Sequence, residues 1–134
     1  FPTRRSSDLI GDAGDADLGE VPPAVKFLGK KLKEAPKNSS VIFLGDNIYD
    51  NGMPGKKSKK RALAEHRINV QLDILKDFKG KPFFIAGEKD WPSKSPRKGL
   101  EREEDFIQDK MDMGNIFRPS NGCGGPDVED LSKT

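Results

Sequence analysis

Apolar positions along the chain fall into short continuous runs and into stripes spaced at helical intervals. Val41-Ile42-Phe43-Leu44 and Phe83-Phe84-Ile85-Ala86 are runs of four, each bounded by turn residues. That pattern predicts strands buried in a parallel sheet. Ile10 reads as the tail of an earlier strand. Between the runs, Val21, Val25, Leu28, Leu32 and Ala35 share one helical face, opened by Pro22 and Pro23 and ended by Pro36 and Asn38. Ala64, Ile68, Leu72, Leu75 and Phe78 predict a second helix over residues 59–78, with Gly80 and Pro82 breaking the pattern. Leu100, Ile107 and Met111 predict a third over residues 99–113, with Glu101, Arg102, Glu103, Glu104 and Asp105 mostly toward water. No further strand is expected before Thr134. The order strand, helix, strand, helix, strand predicts an α/β fold with a parallel sheet and right-handed crossovers.

Each predicted strand runs into a glycine and an acid: Gly11-Asp12, Gly45-Asp46 and Gly87-Glu88. Ligands of open α/β sheets bind at the carboxyl ends of the strands. Glycine-acid turns are ordinary loop chemistry taken singly. Three of them, each directly after an apolar run, are more specific. Neighbouring strands lie about 4.8 Å apart, and carboxylates that close repel unless they are protonated or bridged by cations. Two metal ions about 3.5–4 Å apart are one solution, and such a pair activates water and clamps a phosphoryl group. Asp46, on the middle predicted strand, is the natural bridge, and Tyr49 offers a phenolate three residues on. Oxygen ligands suit hard metals such as magnesium, manganese or ferric iron.

Composition narrows the picture. The 134 residues fit one domain or part of a larger one, with 33% hydrophobic and 34% charged residues. Net charge is +2, which points neither toward nor away from nucleic acid. The dense basic run Lys56-Lys57-Ser58-Lys59-Lys60-Arg61 lacks interleaved aromatics and reads as a solvated loop rather than a nucleic-acid interface. The single cysteine, Cys123, makes no internal disulfide. The single histidine, His66, lies nearly opposite the apolar face of its helix and reads as solvated. No stretch approaches the length of a membrane span.

The strings Gly11-Asp12-Ala13-Gly14, Gly45-Asp46-Asn47-Ile48-Tyr49 and Gly87-Glu88-Lys89-Asp90-Trp91 together resemble the calcineurin-like metallophosphoesterases. The nearest branch is the purple acid phosphatase-like one in bacteria, with motifs Gly-Asp-x-Gly, Gly-Asp-x-x-Tyr and Gly-Asn-His-(Asp/Glu). The resemblance covers nearly all of residues 10–125. It implies an α/β/β/α sandwich, of which this chain carries the amino-terminal βαβαβ portion. It also implies a dinuclear centre of iron, manganese or zinc ions that hydrolyses a phosphate ester. On this resemblance Asp12 holds the first metal, Asp46 bridges both, Tyr49 matches the phenolate ligand and Glu88 replaces the asparagine ligand. Lys89 stands where the family has its catalytic histidine, and Asp90 matches the acid that follows, here paired with Lys89. A lysine is a poor proton donor at its reference pKa of about 10.4. The Glu88-Lys89 pair therefore also admits a second expectation, a non-catalytic binding or scaffold protein on the same fold. The family's remaining histidine ligands are expected downstream of Thr134, so the chain alone is expected to be an inactive part. Cell-envelope location is implied only by family habit. Residues 1–9, Phe1-Pro2-Thr3-Arg4-Arg5-Ser6-Ser7-Asp8-Leu9, resemble a translated sequencing adapter. They are set apart as a non-native leader, with residues 10–134 as the domain portion.

Overall fold

A computed structural model describes residues 6–126, 128 and 130. The chain is α/β, with four parallel strands in the order β1-β2-β3-β4 and three helices. Strand β1 (Ser7–Ile10) ends at Ile10, the expected strand tail, and β2 (Ser40–Phe43) and β3 (Lys81–Ile85) overlap the two predicted apolar runs. Helices α1 (Pro23–Glu34), α2 (Arg61–Asp73) and α3 (Pro96–Met111) connect them and lead on to β4 (Phe117–Arg118). Residues 7–9, set apart in the sequence reading, lie in β1, and the Lys31 ammonium of α1 reaches the Asp8 carboxylate at 2.5 Å.

Two expectations about the elements need correcting. The strand β4 was not expected after the third helix. It has only two residues, too few to show a pattern, and it forms because Ile116 and Phe117 bury completely against the core. Helix α2 stops at Asp73, five residues short of the expected end. Leu75 still buries and Phe78 is half-buried, because hydrogen-bonded turns carry the apolar stripe onward. Pro82, expected only to end the helical pattern, lies inside β3. On the side facing β4, the bonds begin only at the Phe84 amide, which donates to Ile116, and continue from Ala86 to Arg118. Pro82 precedes them on that side, so its missing N–H leaves no gap in the ladder.

A strand order that steps one way, with right-handed crossovers, puts every helix on the same face of the sheet. The core agrees. Val25, Leu28 and Leu32 of α1, Ala64, Ile68 and Leu72 of α2, and Leu100 and Ile107 of α3 form one cluster with Val41, Phe43, Phe84 and Phe117. The Phe43 and Phe84 rings, register partners on β2 and β3, stack at 4.3 Å. The alternate residues point the other way. Leu9, Ile42 and Phe83 share one register row, and Leu44 precedes the strand-end loop beside Ile85. Leu9 is 60% exposed, Leu44 49% and Ile85 37%. Among the described residues, no helix covers this second face.

Candidate functional site

The carboxyl ends of β1, β2 and β3 bring the three glycine-acid turns together. The Asp12 amide donates to Gly45 O at 3.3 Å, and the Gly14 amide donates to Asp46 O at 3.0 Å. Gly45 has φ +104°, and a side chain there would meet the Gly87 backbone at 2.5 Å. At Gly87 a Cβ would fall 2.4 Å from Asp46 Oδ1. Gly45 and Gly87 are thus required by close approach of one turn to the next, whereas a Cβ at Gly11 would meet only Leu44 Cβ at an ordinary 3.8 Å.

Asp12 and Asp46 share one backbone conformation, with φ of 53° and 54°. Left-handed backbone in a non-glycine residue is uncommon, and short polar Asp and Asn tolerate it best. Asp112 adopts it too, at the end of α3, where it serves as a helix cap. At Asp12 and Asp46 no helix ends, and the conformation instead aims two carboxylates along one sheet edge. Tyr49 OH donates to Asp12 Oδ1 at 3.2 Å, and the Lys89 amide donates to Asp46 Oδ1 at 2.9 Å. Tyr49 is raised above the usual phenol range, by partial burial first and then by its hydrogen bond to Asp12 and the charges of Asp12, Asp46 and Asp15. A cavity of about 180 Å³ lined by Tyr49, Asp50, Lys60 and Arg67 opens beside it.

Glu88 and Lys89 occupy the short turn after β3. The Glu88 side chain is 88% exposed, and its carboxylate lies 3.6 Å from the Lys89 ammonium. Asp90 does not pair with Lys89. It is fully buried, with Oδ1 accepting from the Ile48 amide at 2.8 Å and Oδ2 from the Gly87 amide at 2.7 Å. Asp90 therefore clasps the loop after β2 to the turn after β3, and it is a positioning residue. Burial raises its carboxyl to about 6 against the pull of those amides, and the Asp46 charge adds to the rise.

The sequence reading missed what lies beneath this clasp. Asn47, fully buried, directs Nδ2 at Ile85 O (2.9 Å), Asp90 Oδ2 (3.3 Å) and Glu103 Oε1 (3.2 Å). Gln71 Nε2 donates to Asn47 O at 2.9 Å. Glu103 and Glu104 were expected to face water, and both are buried. Glu104 Oε2 accepts the Asn121 amide at 2.6 Å, tying α3 to the segment after β4. A usable signal existed, since positions 103 and 104 lie three and four residues after Leu100, on its helical face.

The donor set bears on the expected metals. Asp12 and Asp46 present hard oxygen donors at one edge, with Tyr49 bridging toward Asp12. Among the described residues, no group of three or more His, Cys, Asp or Glu side chains stands together to hold an ion, and Glu88 turns outward. Comparison with protein-family models, curated proteins and solved structures finds no match to this chain.

Proposed function

We propose that the chain is the amino-terminal portion of a metal-dependent phosphoesterase of the calcineurin-like, purple acid phosphatase-like kind, which hydrolyses a phosphate ester. The observation that carries this reading is the pair Asp12 and Asp46, in matching left-handed backbone at adjacent strand ends, with Tyr49 and the Lys89 amide on their carboxylates. Strained backbone of this kind concentrates at functional sites. Metal ions held there supply a hydroxide nucleophile and neutralise phosphoryl charge. Asp12 and Asp46 are the residues of this chain that would hold them. Tyr49 fixes the Asp12 carboxylate, and the Lys89 amide fixes that of Asp46. The Lys89 side chain, 39% exposed at the same turn, supplies a cation for an anionic substrate.

The uncovered sheet face supports the sandwich half of the reading. Parallel sheets are normally covered on both faces. Leu9, Ile42, Leu44 and Ile85 form an apolar surface suited to a second sheet packed face to face, as in an α/β/β/α sandwich. That second layer would bring the histidine ligands that this chain lacks.

The test is aryl phosphate hydrolysis by the protein with its downstream sequence, loaded with manganese or iron. Activity that Asp46→Ala abolishes supports the reading. A folded, metal-loaded protein with no hydrolysis turns the choice to the scaffold alternative, which the outward-facing Glu88–Lys89 pair favours. A downstream sequence without metal-ligating histidines overturns the proposal.

A further inference from the structure

The phosphoesterase reading leaves a buried contact without a role, that between Asn47 and Glu103. Glu103 projects from α3, wholly inaccessible, with Oε1 against the Asn47 amide. That amide has two hydrogens and three acceptors within 3.3 Å. Three further buried acceptors, Asn47 Oδ1, Gln71 Oε1 and Glu103 Oε2, have no hydrogen-bond partner among the described residues. The cluster is therefore short of protons. Among the described residues no Lys, Arg or His side chain pairs with it, and the Asp90 carboxylate shares the same Asn47 amide. An ionised Glu103 would be a buried charge facing a second carboxylate across one donor, an arrangement of high cost. A neutral carboxylic acid adds an O–H donor and removes the charge.

Asn47 directly follows Asp46. Two bonds already restrain the Asp46 turn, from Gly14 to its carbonyl and from Lys89 to its carboxylate. The Glu103 contact is a third restraint, reaching the turn from α3 across 56 residues of chain.

We propose that Glu103 is a positioning residue for the Asp46 turn, acting as a neutral carboxylic acid whose hold on Asn47 fixes the direction of the Asp46 carboxylate. Its significance for metal binding rests on the phosphoesterase reading; the protonation and the hold do not. Burial and the nearby Asp90 charge push the Glu103 carboxyl well above its ordinary range, in keeping with this state.

The first arm of the test is infrared difference spectroscopy of wild type minus Glu103→Gln at neutral pH. A protonated carboxyl band lost in the variant is expected, and a carboxylate band alone overturns the proposal. The second arm is amide hydrogen exchange, with Lys89 as reporter of the turn and Phe84 as reporter of the core. Glu103→Gln, which keeps a donor and an acceptor, holds Lys89 protection within about threefold. Glu103→Leu lowers it at least tenfold while Phe84 changes less. Equal losses at both amides make the residue merely structural and overturn the proposal. Should Glu103→Leu not fold, the Glu103→Gln infrared and exchange results decide alone. The third arm titrates Mn²⁺ by electron spin resonance. Loss of a positioning partner typically weakens metal affinity about 10–100-fold, expected for Glu103→Leu and not for Glu103→Gln. Run on the protein with its downstream sequence, a wild type with no Mn²⁺ affinity counts against Asp46 as a ligand, and the first two arms still decide the role of Glu103.

Discussion

Replacing Gly45 with alanine tests the claim that the strand-end turns are pressed together. The new Cβ would stand 2.5 Å from Gly87 Cα and 2.6 Å from Gly87 N, both main-chain atoms that a rotamer change cannot move. Backbone at φ +104° adds strain for any residue with a side chain. Strain of that kind costs about 1–3 kcal/mol and overlap in a packed region a further ~1–3 kcal/mol, so the variant should lose about 2–6 kcal/mol. For a domain of this size each kcal/mol is worth roughly 3–5 °C in Tm, giving a fall of roughly 6–30 °C. The assay is urea and thermal unfolding, followed by circular dichroism and by fluorescence of Trp91, the single tryptophan, which directly follows the Glu88–Asp90 turn. Gly55→Ala is the control. Nothing lies within 4 Å of a Cβ there, so the change should stay within about 1 kcal/mol in either direction. A Gly45→Ala midpoint equal to that of Gly55→Ala would show that the turns are not in contact.

The pH dependence follows from Asp90. Its folded value of about 6 lies above the ordinary aspartate value of 3.8, so its neutral form stabilises the fold fully below pH 4, and that contribution is lost as pH rises through 6. Two pH units correspond to about 3 kcal/mol, and the stability of the metal-free wild type relative to Asp90→Asn should fall by up to that amount between pH 4 and 7.5. A difference that stays flat over this range contradicts the buried clasp. Phe84→Ala removes a fully buried ring stacked on Phe43 and should cost about 3–5 kcal/mol in urea unfolding; a loss under about 1 kcal/mol would place Phe84 outside the core. Leu44→Lys with Ile85→Lys should leave unfolding free energy within about 1 kcal/mol and lower both self-association in sedimentation and binding of an apolar dye. A large loss of stability would mean that the face is already packed.

The sequence displayed the frame of the fold because its strands are continuous apolar runs and its helices have one apolar stripe. Val41 to Phe43 and Phe83 to Ile85 are strands, and Leu28, Leu32, Ile68, Leu72, Leu100 and Ile107 bury as their spacing requires. The Gly-acid strings were legible as turns at one sheet edge, where the Asp12 and Asp46 turns are joined by main-chain hydrogen bonds and Tyr49 OH reaches the Asp12 carboxylate. Residue type misled where it overrode spacing. Glu103 and Glu104 occupy the buried face of α3, yet charge suggested water, because a buried carboxyl needs partners from distant segments that no local pattern reveals. The expected pairing of Asp90 with Lys89 failed for the same reason, since its partners are main-chain amides of Ile48 and Gly87, which have no signature in sequence. Strand β4 was hidden by its length, and its pairing is set by the neighbour rather than by its own two residues.

The Asp90 clasp also sets an order of events. Its bond to Ile48 spans 42 residues and that of Glu103 to Asn47 spans 56, whereas each helix closes within its own segment. Pairing of β2 with β3, Ser40 against Lys81, closes a loop of nearly the same length, so once the strands have paired the Ile48–Asp90 bond costs little further chain entropy and can follow. The edge that presents Asp12 and Asp46 is therefore assembled late, and substitutions in the clasp should speed unfolding while leaving the refolding rate nearly unchanged. The scaffold is thus expected to close before the edge that carries the two carboxylates is fixed.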